Sequence, residues 1–473
     1  MEAYTDNDFK DIIKRRDPKF DGRFFFGVKT TGIYCRPICP AKPKPENIVI
    51  FKSKSEAEVD GYRPCKRCKP DMAPGIKFFH QKDIIVHKAL LLIDSGDESL
   101  TVEGMSKELS VTTRHLRRLF HQHLGVSPLE VITTKRLHCA KKLLLETSLP
   151  ITEIALCVGF NSIRRFNESF KKLYKEPPSK FRKNNCKNKI KTDFLEIKIP
   201  IREPYDWGYV LKFLKRHTIF GSEHIEDFIY TRYLYFEEGS VGKIKVFESK
   251  DKKCLILRLD GVPLSKLHDV MFCLKKIFDT DHNPSTIEGS KKLKSIRVPG
   301  SYDSFEVAIS IILSQLVSTE QAQKVLEILV RKFGEPIKNP FGDDFEIVLF
   351  PKPKDLMNEK LEELGITKVK AHALRELSRL IEKGEIKLSY LEDIDRVKEK
   401  LSEIKGVGPW TKELIAMRCL GDSDAFPGKD LIVKRALDGG LIDEEGWSGV
   451  KAYLCHIAWR DFAHLLTKKK VKS

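Results

Sequence analysis

The hydrophobic pattern of residues 80–183 repeats with a helical period and predicts an all-helical region. Thr112 or Thr113 can cap a helix that Gly125 ends. One face of this helix is apolar and consists of Leu116, Leu119, Phe120 and Leu124. The opposite face is cationic and consists of Arg114, Arg117, Arg118 and His121. We therefore expect the first face in a core and the second face against a polyanion.

A second unit of the same kind runs from about residue 151 to residue 182. Phe166 and Phe170 are one helical turn apart and are predicted to be core residues. Arg164 and Arg165 fall on the other side of the same helix and are predicted to be exposed. The region thus contains two successive helix-turn-helix units.

These two units, with a connecting helix over about residues 129–145, resemble the AraC-type DNA-binding domain. The segment from Ala155 to Ser162 carries the most specific part of the resemblance. It implies two recognition helices that enter the major groove of one duplex one turn apart. The candidates for reading bases, each with a phosphate contact as the alternative, are Arg114, Arg117, Arg164 and Arg165.

The pattern changes after a polar, positively charged stretch over residues 183–192, which predicts a linker. Beyond it, alternating apolar runs at residues 194–199 and 254–259 are typical of strands. A helix is predicted between them over residues 205–216, and the pattern is helical again from about Tyr302. The carboxy-terminal half is therefore predicted to be α+β.

Composition favours a nucleic-acid partner. The chain of 473 residues has 85 Lys and Arg against 67 Asp and Glu, a net charge of +18 and a pI near 9.2. Such an excess suits DNA, RNA or an anionic membrane surface. No signal peptide is evident, and the longest apolar run, residues 307–316, is too short to span a bilayer. Eleven cysteines without a disulfide pattern favour a reducing compartment, and we expect a cytoplasmic protein. We also expect a monomer without a membrane partner.

Four cysteines form two tight pairs near the amino terminus. Three residues separate Cys35 from Cys39, two separate Cys65 from Cys68, and 25 residues lie between the pairs. Two thiolate pairs with such spacing can bind one tetrahedral ion, and zinc is the usual occupant. A four-cysteine zinc site is ordinarily inert structure, and that interpretation stays open on spacing alone.

The wording around these cysteines resembles the zinc domain of Ada-type adaptive-response regulators over about residues 1–76. The resemblance implies that Cys35 accepts a methyl group from a methylated DNA phosphate, with Cys39, Cys65 and Cys68 as the other ligands. Four thiolates around a zinc dication carry a formal charge of about −2, and methylation removes one negative charge. Methyl transfer would thus strengthen DNA binding. The nearby cations, which could offset repulsion of phosphate or form a solvated face, are Arg36, Arg63, Lys66 and Arg67.

A second motif combines a glycine hairpin with a downstream carboxylate. Gly406 and Gly408 allow close backbone approach, so that amides up to Thr411 can bind a DNA phosphate. Asp430 follows about 20 residues later. Together they resemble the helix-hairpin-helix glycosylases, and most closely the AlkA-type 3-methyladenine glycosylases, over residues 193–466. The resemblance implies that Asp430 is the essential carboxylate; the alternatives are a helix cap or a surface acid.

Trp410 occupies the position at which the related base-excising lyases have a Schiff-base lysine, which implies a monofunctional enzyme. Lys412 is expected to point elsewhere on the helix. Trp410 and Trp459 are candidates for an aromatic wall against a cationic base, and Leu316 for a wedge in the DNA stack, although each can instead be core. The sequence departs from the family at two positions of the expected pocket, Leu414 and Ala458.

The predicted fold class is multidomain α+β. Its parts are a small zinc-bound α/β domain (1–76), an all-α double helix-turn-helix domain (80–183), a β-rich domain (193–290) and a helix-hairpin-helix glycosylase domain (291–466). The predicted function is a DNA alkylation sensor, regulator and repair enzyme that binds alkylated and promoter DNA and works with RNA polymerase. One alternative is a transcription activator with an inactive glycosylase half. Another is a glycosylase that the amino-terminal modules tether to DNA.

Overall fold

A computed structural model describes most of the chain, and its contacts divide that part into two units. The described residues are 4–74, 84–95, 100–185, 194–289, 291–443, 445 and 447–463. The first unit comprises residues 1–202, 263–272 and 280–286, and the second comprises 203–262, 273–279 and 287–473. Most of the predicted linker, residues 186–192, lies outside the described residues.

The elements before residue 203 are mostly short helices, with one small sheet. The helices are α1 (Asp6–Arg15), α2 (Lys54–Val59), α3 (Ile84–Ser95), α4 (Val102–Glu108), α5 (Thr113–Leu124), α6 (Pro128–Glu146), α7 (Ile151–Cys157), α8 (Ile163–Tyr174) and α9 (Pro178–Asn185). The strands are β1 (Phe25–Val28), β2 (Ile33–Cys35), β3 (Ile48–Phe51), β4 (Arg63–Pro64) and β5 (Leu195–Pro200).

The elements after residue 203 begin with a helix and four strands and continue as helices. The strands are β6 (Glu223–Glu226), β7 (Ile229–Tyr235), β8 (Val241–Glu248), β9 (Cys254–Asp260), β10 (Glu335–Ile337) and β11 (Ile347–Leu349). The helices are α10 (Trp207–Arg216), α11 (Leu267–Ile277), α12 (Lys291–Lys294), α13 (Ser304–Leu313), α14 (Thr319–Phe333), α15 (Pro353–Leu356), α16 (Lys368–Glu382), α17 (Ile394–Glu403), α18 (Pro409–Ile415), α19 (Leu431–Asp438) and α20 (Lys451–Asp461).

The amino-terminal sheet brings the two cysteine pairs together. Its strand order is β3-β1-β2-β4; β1 is antiparallel to β2 and β3, and β4 is parallel to β2. Tyr34 is in register with Pro64, so the next residues along these parallel strands, Cys35 and Cys65, are neighbours. A core that includes Phe9, Phe24 and Phe26 packs against the cysteines and fixes the sheet.

The predicted helix-turn-helix units are confirmed. The Thr112 hydroxyl accepts the His115 amide hydrogen at 3.2 Å and caps α5, and Gly125 ends that helix in the left-handed conformation at φ +79°. Ser162 caps α8 in the same way. The predicted apolar faces are buried, with Leu116, Phe120, Phe166 and Phe170 all inaccessible to solvent.

Buried polar contacts attach the zinc domain to the end of α5 and to α6. Tyr34, next to Cys35, donates its hydroxyl hydrogen to Glu58 Oε1 at 2.5 Å, and the same oxygen lies 2.7 Å from Nε2 of His138 on α6. Ser53 donates to the carbonyl of Leu124 at 2.7 Å. The strand that carries Cys35 is therefore linked through Glu58 to the helix that joins the two DNA-binding units.

In the second unit, β6, β7, β8 and β9 form successive antiparallel pairs, and the helices after residue 300 form the larger part. The apolar run considered above for a membrane span is α13, which is buried along most of its length from Glu306 to Leu313. Among the described residues, none of the helices is both long and apolar enough to cross a bilayer. The Gly406–Gly408 hairpin joins α17 to α18, as predicted.

The cap of α5 gives a first testable prediction. Thr112→Ala removes the cap hydrogen bond and should lower the local stability of α5 by about 1 kcal/mol. Thr113→Ala is the matched control because it leaves that bond in place and introduces a good helix former. Hydrogen exchange of the α5 amides in the full chain measures the difference. Equal exchange in the two variants would contradict the cap.

Candidate functional sites

The four amino-terminal cysteines converge on one point. The sulfur atoms of Cys35, Cys39, Cys65 and Cys68 all lie within 4.8 Å of one another. Four convergent soft sulfur ligands fit the tetrahedral zinc site that the spacing predicts.

Burial differs sharply within the cluster. Cys35 is 2% exposed and Cys39 is fully buried, whereas Cys65 and Cys68 are half-buried. A sulfur that attacks a DNA phosphotriester must be reached by the methyl group. The predicted acceptor role of Cys35 therefore requires the residues that bury its sulfur to move. The role itself stays a prediction.

Arg36 has a structural partner that the sequence did not reveal. Its Nε donates to Oδ1 of Asp21 at 2.7 Å, and its Nη1 donates to the carbonyl of Cys68 at 3.4 Å. Burial opposes ionisation of Asp21, but the Arg36 guanidinium outweighs it and keeps the pKa of that carboxyl below its usual range. Arg36 thus holds the cysteine loops together, while Lys66 and Arg67 are exposed.

The four candidate base-reading arginines are exposed on the two predicted recognition helices. Arg114 and Arg117 lie on α5, and Arg164 and Arg165 lie on α8. Arg164 forms an exposed ion pair with Glu168 at 2.9 Å, which contributes little energy and can open when DNA binds. Their distribution matches the predicted polyanion-binding faces.

Asp430 is the point at which the second candidate site is assembled. It caps α19: its Oδ1 accepts the amide hydrogens of Ile432 at 3.0 Å and Val433 at 3.2 Å. The indole N–H of Trp459 donates to Oδ1 at 3.0 Å, and that of Trp410 donates to Oδ2 at 3.2 Å. Four N–H groups therefore orient one carboxylate. The helix-cap alternative is correct as local structure and is compatible with a catalytic role.

An aromatic wall stands beside this carboxylate. Phe213 of α10 stacks on Trp459, with ring centres 6.1 Å apart and planes at 22°, and His456 lies 4.8 Å from both rings. Burial, helped by the nearby Arg418, lowers the pKa of His217 to about 3, so this neighbour of Phe213 is neutral. Sequence reasoning missed Phe213; the one signal was an aromatic side chain outside the most buried face of α10.

The departures from the family pattern occur in the core. Leu414 is 8% exposed and Ala458 is fully buried, so neither lines an open surface. Lys412 donates to the Ser402 hydroxyl on α17 at 3.1 Å. The expectation that this lysine points away from the position of Trp410 is confirmed.

Leu316 has the two properties that a DNA wedge needs. Its side chain is fully exposed, and its backbone is left-handed at φ +56°. That conformation costs a non-glycine residue about 1–2 kcal/mol, which is consistent with a functional constraint. Gly406 of the hairpin is also left-handed, at φ +100°. The Thr411 side chain is buried, so only its backbone amide is a candidate for the predicted phosphate contact.

Comparison with known families accounts for nearly the whole chain. Four family models match in order: "Metal binding domain of Ada" at residues 9–71, "Helix-turn-helix domain" at 105–184, "AlkA N-terminal domain" at 196–303 and "HhH-GPD superfamily base excision DNA repair protein" at 309–440. A Mycobacterium tuberculosis protein described as "Probable bifunctional transcriptional activator/DNA repair enzyme AlkA" is 30% identical over 445 residues, which cover 90% of this chain and 88% of that protein.

The chain belongs to this family of bifunctional activator and repair proteins.

Two further relatives each match one half of the bifunctional protein. The Bacillus subtilis "Bifunctional transcriptional activator/DNA repair enzyme AdaA" is 36% identical over 38% of this chain and 84% of its own length. The Escherichia coli "DNA-3-methyladenine glycosylase 2" is 27% identical over 50% of this chain and 85% of its own length. The predicted fold class, the zinc site and the fusion of a regulator with a glycosylase module are thereby confirmed. The domain limits and the roles of individual residues remain predictions.

Metal content gives a second prediction. The purified bifunctional protein should hold one zinc ion, and Cys65→Ala should weaken zinc binding by orders of magnitude because it removes one of the four thiolates. Cys139→Ala, which changes a half-buried thiol on α6, is the matched control. Elemental analysis and competition with a chelating dye measure both. Undiminished zinc affinity in Cys65→Ala would contradict the four-cysteine site.

Proposed function

We propose that this protein senses methylated DNA phosphates at Cys35, activates transcription through α5 and α8, and excises alkylated purines at Asp430. The observation that carries the proposal is that one chain contains both a convergent four-thiol cluster and a carboxylate held between two indole N–H groups. We also retain as a proposal the four domains at residues 1–76, 80–183, 193–290 and 291–466.

In the sensing reaction, the sulfur of Cys35 attacks the methyl carbon of a phosphotriester. The S–C bond forms as the C–O bond breaks, and the phosphodiester anion leaves. Cys35, Cys39, Cys65 and Cys68 would hold a zinc ion, which would favour the thiolate form of Cys35 at neutral pH. The Asp21–Arg36 pair holds the cysteine loops in place. The product thioether is stable, so each chain reacts once.

Loss of one negative charge then favours binding of the methylated protein to DNA. The exposed Arg114, Arg117, Arg164 and Arg165 would contact bases or phosphates of promoter DNA. The Tyr34–Glu58–His138 contacts give the reacting strand a direct connection to α6, between the recognition helices. We propose that the activated protein is a cytoplasmic monomer that recruits RNA polymerase.

In the repair reaction, an alkylated purine turned out of the duplex stacks against an aromatic wall that includes Trp410, Trp459 and Phe213. A 3- or 7-alkylated purine is cationic and leaves without a general acid. Asp430 stabilises the positive charge that develops on the sugar and orients water toward it. Leu316 fills the gap left in the stack, and backbone amides at Gly406, Gly408 and Thr411 bind a phosphate.

The absence of a lysine at the position of Trp410 favours base removal without strand cleavage. The Lys412 ammonium is directed to Ser402 and not to Asp430. The activator-only alternative predicts a degenerate second site, whereas Asp430 retains four N–H donors there. The tethered-glycosylase alternative predicts that methylation leaves promoter affinity unchanged.

The repair reaction is tested by Asp430→Asn. This change keeps the helix cap but removes the negative charge, and release of 3-methyladenine from methylated duplex DNA should fall at least a hundredfold, about the effect of losing one electrostatic stabiliser. Asp438→Asn, at the exposed end of α19, is the matched control. Chromatography of the released bases provides the measurement. Full activity in Asp430→Asn would overturn the assignment, and no activity in the unchanged protein would favour the activator-only alternative.

The sensing reaction is tested by mapping the methyl group. After incubation with DNA that carries methylphosphotriesters, peptide mass spectrometry should find one methyl group, on Cys35, and promoter affinity should rise. Cys35→Ala should take up none. Because Cys65 and Cys68 are the more exposed sulfurs, a methyl group on either of them would instead show that exposure selects the acceptor.

A further inference from the structure

The turn that carries Leu316 is anchored on both sides of the leucine. Helix α13 ends at Leu313, and the Ser314 amide bonds carbonyl groups of the preceding turn, the last of them that of Ile312. The ammonium of Lys370, a buried residue in the first turn of α16, donates to the Leu313 carbonyl at 3.0 Å. A cation at a helix carboxyl terminus is favourable because it complements the helix dipole. This bond fixes the turn before the leucine.

Gln315 provides the second anchor, immediately before the leucine. Its side-chain Nε2 donates to the carbonyl of Gly406 at 2.9 Å and to the hydroxyl of Thr411 at 2.7 Å. Because a carbonyl can only accept, the amide nitrogen must be the atom that faces Gly406. The two hydrogens of one amide therefore connect the turn to both sides of the hairpin, across 91 and 96 residues of sequence.

The hairpin in turn packs on α16. A β-carbon placed on Gly406 would lie 2.8 Å from Cγ1 of Val369 and 2.9 Å from the Val369 carbonyl oxygen, so only glycine permits this approach. Val369 directly precedes Lys370. The turn, the hairpin and the first turn of α16 thus form a closed circuit with three contacts, and none of the three elements can shift without breaking one of them.

We propose that Gln315 is a positioning residue that couples the hairpin to the Leu316 turn, so that phosphate binding and wedge insertion into damaged duplex DNA occur as one step. The inference rests on the proposed excision function. Its physical basis is that the strained turn would otherwise relax, because within the described part of the chain the Leu316 side chain is fully exposed and is not held by packing. Gln315 transmits the position of the DNA-bound hairpin to the leucine.

The test uses the full zinc-loaded chain and a duplex in which an alkylated purine lies next to 2-aminopurine, whose fluorescence rises when its neighbour leaves the stack. Gln315→Met keeps the side-chain length but removes both donors. The fluorescence rise should slow by about tenfold, as expected for the loss of two partly buried hydrogen bonds. Affinity for undamaged duplex should be unchanged, because the hairpin amides remain. Gln321→Met, on the exposed face of α14, is the matched control.

A second variant controls for the possibility that Gln315→Met misfolds. Thr411→Val removes one of the two acceptors and keeps the bond to Gly406, so it should slow the fluorescence change in the same direction but less. Combining Gln315→Met with Leu316→Ala should be no worse than Leu316→Ala alone, because both changes affect one step. Multiplicative effects, or an undiminished rate in Gln315→Met, would overturn the coupling.

The outcome for the unchanged protein separates the two levels of inference. If it extrudes bases and releases 3-methyladenine while Gln315→Met does both equally well, only the coupling fails. If it shows neither the fluorescence rise nor base release, the proposed excision function fails, and the coupling fails with it.

Discussion

The backbone groups that every helix leaves unpaired at its ends are the constraint on which both halves of this protein depend. In the regulator half, Thr112 and Ser162 satisfy the amides at the start of the recognition helices and fix where those helices begin. In the glycosylase half, Asp430 does so for α19 and Lys370 satisfies a carbonyl of α13. In the glycosylase half, the proposed catalytic carboxylate is itself one of these caps, at the start of α19.

Asp430 shows why a structural and a catalytic interpretation need not compete. As a cap, the carboxylate loses its freedom to rotate, because Oδ1 accepts from Ile432, Val433 and Trp459. In the proposed excision reaction the same restraint would help, since a preorganised charge needs no reorientation when positive charge develops on the sugar. The cap hydrogen bonds therefore fix the orientation of the Asp430 carboxylate.

The sequence predicted what depends on local patterns. A cap, a closing glycine and apolar periodicity placed α5 closely, because that helix is determined by neighbouring residues, and the resemblance placed α6. The cysteine pairs predicted a metal site because ligand spacing is itself local. Contacts between residues far apart in the sequence could not be predicted. Phe213 stacks on Trp459 near the other end of the second unit's sequence, and Gln315 bonds to the hairpin 91 residues away. The pairing of Arg36 with Asp21 and the burial of Cys35 escaped for the same reason.

The fusion of both activities in one chain fixes the ratio of sensing sites to repair sites at one to one. A sensor that reacts once is used up by a single lesion. The number of reacted chains therefore equals the number of methyl groups taken from DNA. Because the same polypeptide carries the glycosylase module, every newly made copy adds one unreacted methyl acceptor and one reusable repair site. Under the proposed function, more copies of this chain therefore supply more repair sites and more unreacted methyl acceptors in the same proportion.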